Sequence, residues 1–253
     1  MTFPLADIPA KALRPGFSLS PSPRTALLDG VPQLCTFDCM SERPNLLYRL
    51  LANASRPLAL HAFGLEAAGV EQLPPSGGFV LCANHLSVYD PWALALPLYP
   101  RQLRFMAKAE LFRPPFRSLL GAVGLFPAGR GADGAQSVAT AARHTAAGRP
   151  VLVFPAGARR CRIRAEERPK TGAARAALAA AVPLIPAAVA GTDGAGHWRV
   201  VYGPAILVAD LSELSPREAA RRATRRLWET ITALEGALQV ERALPLAMEG
   251  SRP

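Results

Sequence analysis

Apolar positions along this chain change period again and again, and each change marks an element. Short apolar or alternating runs of strand length fall at residues 63–67, 79–83, 103–107, 125–127, 151–154, 184–190 and 198–202. Stretches with helical spacing separate most of them, at 91–98, 116–123, 136–147 and 172–181. Asp133 with Gln136 forms a capping box at the start of the third of these, and Gly148 stands where a C-cap glycine belongs. Before the first strand, Leu46, Leu47, Leu50, Leu51 and Ala54 share one face of a helix that Pro57 is expected to end or kink. That face suits either a core helix or an element lying on a membrane surface. A second capping box, Ser215-Pro216-Arg217-Glu218, opens a long terminal helix whose Ala219, Ala223, Leu227, Ile231, Leu234 and Leu238 point to a core. Strand and helix in alternation predict a single α/β domain, a largely parallel mixed sheet flanked by helices, with an N-terminal helical segment. The predicted boundaries are an irregular Pro- and Ser-rich extension over 1–42, the domain over 43–245 and a tail over 246–253.

In open α/β sheets ligands gather beyond the carboxyl ends of strands, so the residues there carry the candidate chemistry. After 79–83 comes Asn84-His85-Leu86-Ser87-Val88-Tyr89-Asp90. A histidine takes up a proton near neutral pH, and a carboxylate on its far nitrogen would hold its tautomer and stabilise the imidazolium. Pro91 at the predicted first helical position lets the two residues face each other across one tight turn. Asp90 also suits a plain helix N-cap there. No serine or cysteine nucleophile accompanies the pair in a local catalytic pattern, so the proton would come from a substrate. After 125–127 comes Ala128-Gly129-Arg130-Gly131, and after 151–154 comes Pro155-Ala156-Gly157-Ala158-Arg159-Arg160. Glycine permits close backbone approach and arginine offers a fork for phosphate. Three successive strand ends thus supply a base and two arginine-bearing glycine loops.

Composition sharpens this in two respects. A formal charge of +10, with 26 Arg against 3 Lys, favours anionic partners. Residues 158–170 carry six basic side chains against Glu166 and Glu167. The row Arg217, Arg221, Arg222, Arg225 and Arg226 reads as a solvated helix face. No aromatic-interleaved basic stripe or nucleic-acid motif is present, so nucleic acid is not an expected partner. Cysteines 35, 39, 82 and 161 lack zinc-ligand spacing and read as reduced thiols of a cytosolic protein, with no metal expected. No segment reaches the roughly 18 uninterrupted apolar residues of a membrane span.

These blocks resemble the glycerolipid acyltransferase family, whose best-known members acylate 1-acylglycerol-3-phosphate. The first family block, NHxSxxD, is matched in full by Asn84, His85, Ser87 and Asp90. The second is Gly124-Leu125-Phe126-Pro127 leading to Arg130, and the fourth is Val182-Pro183-Leu184-Ile185-Pro186. The third, normally FPEGTR, reads Phe154-Pro155-Ala156-Gly157-Ala158-Arg159. Met106-Ala107-Lys108-Ala109-Glu110-Leu111, the Lys170-Thr171-Gly172 step and Gly203-Pro204 add to the likeness. The resemblance implies a glycerol-3-phosphate acyltransferase-like fold and no cofactor. It makes His85 the general base that deprotonates an acceptor hydroxyl, with Asp90 orienting it. The hydroxyl then attacks the thioester of acyl-CoA or acyl-carrier protein. Asn84, Arg130, Gly157, Arg159 and Lys170 become the substrate-binding set, with Arg130 and Arg159 on an acceptor phosphate. A peripheral place on the cytoplasmic membrane face is also implied, with Leu46 to Ala54 positioned as the anchor.

The third block departs from the pattern, since Ala156 replaces its glutamate and Ala158 its threonine. The expected activity is acyl transfer to a lysophospholipid-type acceptor. The alternatives are a different acceptor, or a lipid-binding relative without turnover.

Overall fold

The computed structural model describes residues 44–129, 132–159, 168–194 and 196–249, side chains at 132, 133 and 241–249 excepted. All of these lie in the compact unit that begins at Cys39. The predicted extension over 1–42 lies outside the described residues; of the predicted tail over 246–253, residues 246–249 continue the C-terminal helix and 250–253 lie outside them.

Seven strands form one sheet: β1 (Glu66–Ala68), β2 (Val80–Ala83), β3 (Arg104–Lys108), β4 (Leu125–Ala128), β5 (Val151–Val153), β6 (Leu184–Ala190) and β7 (Arg199–Tyr202). Their order is β1-β7-β6-β2-β5-β3-β4, parallel throughout except between β6 and β7. Six helices accompany them among the described residues: α1 (Leu46–Pro57), α2 (Asp90–Ala95), α3 (Phe116–Ala122), α4 (Ala132–Ala146), α5 (Gly172–Ala180) and α6 (Pro216–Glu249). Each predicted strand is present, most within one or two residues of the predicted ends. The first is the exception. The 63–67 run shrinks to an exposed edge strand shifted to Glu66–Ala68, because Phe63 is drawn into an aromatic cluster.

Side chains on successive strand residues face opposite ways, and β2 shows how that builds two cores. Leu81 and Ala83 join Leu103, Leu152, Ile185 and Ala187 under α1 and α2. Val80 and Cys82 join Val151 and Leu184 under α4, α5 and α6, whose contributions are mostly alanines and leucines such as Ala141, Ala177 and Leu227. Burial on both faces explains why β2, β5 and β6 read as continuous apolar runs rather than alternating ones.

The α-helical part of α1 ends at Pro57, as its missing N–H leads one to expect, and the chain continues as a π-type stretch, Leu58–Ala62. The buried side of α1 is Tyr48 and Ala52, while Leu46, Leu50 and Leu51 face outward. The leucine stripe is therefore the outer face of this helix.

Candidate active site

Because β5, β2 and β6 are adjacent and parallel, their carboxyl ends open on the same side and deliver three segments to one place. The segment after β2 turns through Asn84 to Tyr89 into α2, which starts at Asp90, one residue earlier than Pro91. Asp90 is completely buried. Its Oδ2 lies 2.7 Å from His85 Nδ1 and accepts the backbone N–H groups of Leu86 at 2.6 Å and Ser87 at 2.9 Å. Thr192, just beyond β6, donates its hydroxyl to Oδ1. The carboxylate therefore bonds backward into the loop instead of capping α2 in the forward sense.

An ionised carboxylate can only accept, so a bond from His85 Nδ1–H to Asp90 would leave the ring's lone pair on Nε2. Nε2 makes no hydrogen bond to any described residue, and the ring is 18% exposed. The ring plane is held by Phe154 at the end of β5, stacked at 3.9 Å between centroids and 11° between planes. An imidazole whose Nδ1 faces a buried carboxylate and whose Nε2 has no partner among the described residues has the arrangement needed to take a proton from a hydroxyl.

Asn84 sits elsewhere than on the substrate side. It is 1% exposed, its amide donates to the Val189 carbonyl at 2.9 Å, and its oxygen accepts the Val189 N–H at 2.8 Å. That exchange extends the β2–β6 ladder by one side-chain rung. A longer contact at 3.4 Å reaches Glu235 of α6. Asn84 thus pins the loop to the sheet and anchors the residue before His85.

The segment after β5 is open. Ala156 is half-buried, and Gly157, Ala158 and Arg159 are exposed. Gly157 has φ +72°, a left-handed backbone that favours glycine, and the Lys170 ammonium comes within 2.5 Å of where a Cβ would stand. A backbone bond from Lys170 N–H to the Pro155 carbonyl, 2.9 Å, holds the two segments together. Neither the Arg159 guanidinium nor the Lys170 ammonium has a side-chain partner among the described residues. Arg130 lies outside the described residues.

Beside the His85 loop is an apolar pocket of about 230 Å³. Val88, Pro91 and Trp92 of the segment after β2 form one wall, Tyr48, Leu51 and Ala52 of α1 another, and Phe105 and Val123 contribute further lining. Burial pushes the Tyr48 phenol up to about 12, so the pocket wall is uncharged near neutral pH. Ser55, its remaining polar lining residue, accepts the Trp92 indole N–H at 3.0 Å.

Thr192, Val189 and the stacking of Phe154 were not anticipated from the sequence. Thr192 and Val189 lie about a hundred residues from the groups they serve, with no local spacing to reveal them.

A buried carboxylate behind a partly exposed imidazole, at the carboxyl ends of adjacent parallel strands and beside an apolar pocket, is a candidate site for proton abstraction. Comparison with known proteins supplies the family. The Acyltransferase family model matches residues 64–190. The 1-acyl-sn-glycerol-3-phosphate acyltransferase of Bacillus subtilis strain 168 is 30% identical over 200 residues, spanning 76% of this chain and 98% of that protein. The chain belongs to the Acyltransferase family. Its fold also matches the crystal structure of the 1-acyl-sn-glycerophosphate (LPA) acyltransferase PlsC from Thermotoga maritima. The TM-score is 0.55 at 18% identity, over 74% of this chain and 80% of that one.

Proposed function

We propose that this acyltransferase moves a fatty acyl group from the thioester of acyl-CoA or acyl-carrier protein to the free hydroxyl of a lysophospholipid, 1-acylglycerol-3-phosphate. His85 Nε2 takes the hydroxyl proton as the oxygen attacks the thioester carbonyl. Asp90 stabilises the imidazolium formed on the other side of the ring. The tetrahedral intermediate collapses with expulsion of the thiol, which receives the proton from His85. Atoms and charge balance without a cofactor. The observation that carries this reading is the Asp90–His85 contact, with Nε2 unpartnered among the described residues.

The apolar pocket beside Val88 and Trp92 suits the acyl chain, and Arg159 with Lys170 suits an acceptor phosphate. The name of the Bacillus relative supports this choice of acceptor. Ala156 and Ala158 leave the Arg159 loop without the carboxylate and hydroxyl of the usual pattern, which favours weak use of that acceptor over loss of the chemistry.

We place the enzyme peripherally on the cytoplasmic membrane face. The outward Leu46, Leu50 and Leu51 of α1 and the +10 charge support this. No helix among the described residues is long and apolar enough to cross a membrane. Thiol release measured against a panel of lysophospholipid and amino acceptors, with acyl-CoA and acyl-carrier protein as donors, tests the proposal. Acceptor-dependent release with 1-acylglycerol-3-phosphate is the expected result. Release with another acceptor alone would reassign the substrate, and no release with any would leave a lipid-binding relative.

A further inference from the structure

The connection between β3 and β4 buries little. Over residues 108–119 every side chain except the half-buried Phe112 is exposed, and neither the turn Ala109–Phe112 nor α3 contributes a buried residue. A seven-residue helix is too short to persist in water on its own propensity; Leu120 and Ala122 give α3 one half-buried side, and a second apolar side is left open. That side is outward: Leu111 is 53% exposed, Phe116 58% and Leu119 47%. Phe116 and Leu119 are three apart and share a face. Lys108, Arg113 and Arg117 are interleaved with them and equally exposed, against the single acid Glu110.

The position of this segment is as informative as its composition. The Asn45 side chain at the start of α1 donates to the Ala122 carbonyl at the end of α3, which brings α3 beside the outward Leu46. Leu51 of α1 and Val123 after α3 line the same apolar pocket. The two exposed apolar elements therefore flank the pocket beside His85. A protein partner would call for a patch whose centre is depleted of charge. Here cations alternate with apolar side chains, which is the composition of a segment seated at the headgroup and acyl boundary of an anionic bilayer.

We propose that the β3–β4 connection is a lipid-contacting element in its own right, seating Phe116 and Leu119 at the bilayer boundary with Arg113 and Arg117 on anionic headgroups. It rests on the reading of the protein as acting at a membrane surface, and it adds a second contact beyond α1. The test is binding of the purified full chain to phosphatidylcholine vesicles with and without phosphatidylglycerol. Arg113→Ala/Arg117→Ala should weaken binding to the anionic vesicles by about thirtyfold, as expected for two basic side chains at such a surface. Phe116→Ser/Leu119→Ser should weaken binding to both kinds. Leu207→Ser, at an exposed leucine after β7, should change neither. Melting temperature checks that each variant is folded, and turnover of short-chain soluble substrates without vesicles should be unchanged. Full vesicle binding by both double variants overturns the proposal, and so does a wild type that ignores vesicles. A wild type that binds, with both double variants weakened but no turnover of any substrate, sinks the acyl-transfer reading and leaves this one standing.

Discussion

At the end of β2 the Asp90 carboxylate takes hydrogen bonds from His85, Leu86, Ser87 and Thr192 and is fully buried. At the neighbouring end of β5, Arg159 and Lys170 stand exposed with no side-chain partner among the described residues. The first strand end is held by the protein's own contacts, and the second is open. Preorganised dipoles and charges cost no rearrangement at the moment of reaction, which is what the proposed role of His85 as a base calls for. Flexible cations on an open loop suit a charged headgroup that must enter and leave. The difference predicts that changes at β2 strike turnover, while changes at β5 strike acceptor affinity and choice.

The largest effect belongs to His85→Ala. It removes the base and leaves the Asp90 bonds to Leu86 and Ser87 in place. Loss of about 10²–10⁴-fold in kcat is expected, with the melting temperature within a few degrees. Asp90→Asn comes next. Asparagine is isosteric, its oxygen can still accept from Leu86 and Ser87, and its amide can donate to Thr192, so the loop should survive. The negative charge behind the imidazolium is gone, and kcat should fall by about a hundredfold or more. A small loss there would mean that Asp90 serves only to shape the turn.

Arg159→Ala should raise KM for an anionic acceptor by about ten- to a hundredfold, the equivalent of one hydrogen bond to a charged group, with kcat little changed. If kcat fell instead, the two strand ends would not divide their duties as described. Thr192→Val removes one of four donors to Asp90 and should lower kcat by roughly tenfold, with KM unchanged and Thr192→Ser restoring the rate. The smallest expected change is a gain. Ala156→Glu with Ala158→Thr should raise kcat/KM on 1-acylglycerol-3-phosphate by roughly tenfold, and only while Arg159 is present. An unchanged rate would show that this departure from the usual third block is neutral.

The same contrast explains what the sequence revealed. His85 and Asp90 were legible because their partnership is local, five residues and one turn apart. The sheet was legible because β2, β5 and β6 are buried on both faces and so stand out as apolar runs. Thr192 and the Asn84–Val189 rungs depend on β6 lying beside β2, a tertiary fact with no spacing signature. The family resemblance puts Asn84 among the substrate contacts, although its amide is committed to the sheet. The leucines of α1 show a further limit: a helical stripe identifies an apolar face without saying whether protein or lipid covers it. Small residues made the difference there, since Ala52 lets α1 approach the core while the leucines face outward.

In the proposed reaction His85, held by Asp90, deprotonates an acceptor hydroxyl so that it takes an acyl group from a thioester. The most direct measurement is thiol release from acyl-CoA and acyl-carrier protein, with and without 1-acylglycerol-3-phosphate, by wild type and His85→Ala at matched stability. Wild type should release thiol only when acceptor is present, in step with the formation of diacylated product. His85→Ala should be slower by at least about a hundredfold. Equal release by the two proteins, or release by wild type that ignores the acceptor, would contradict the account.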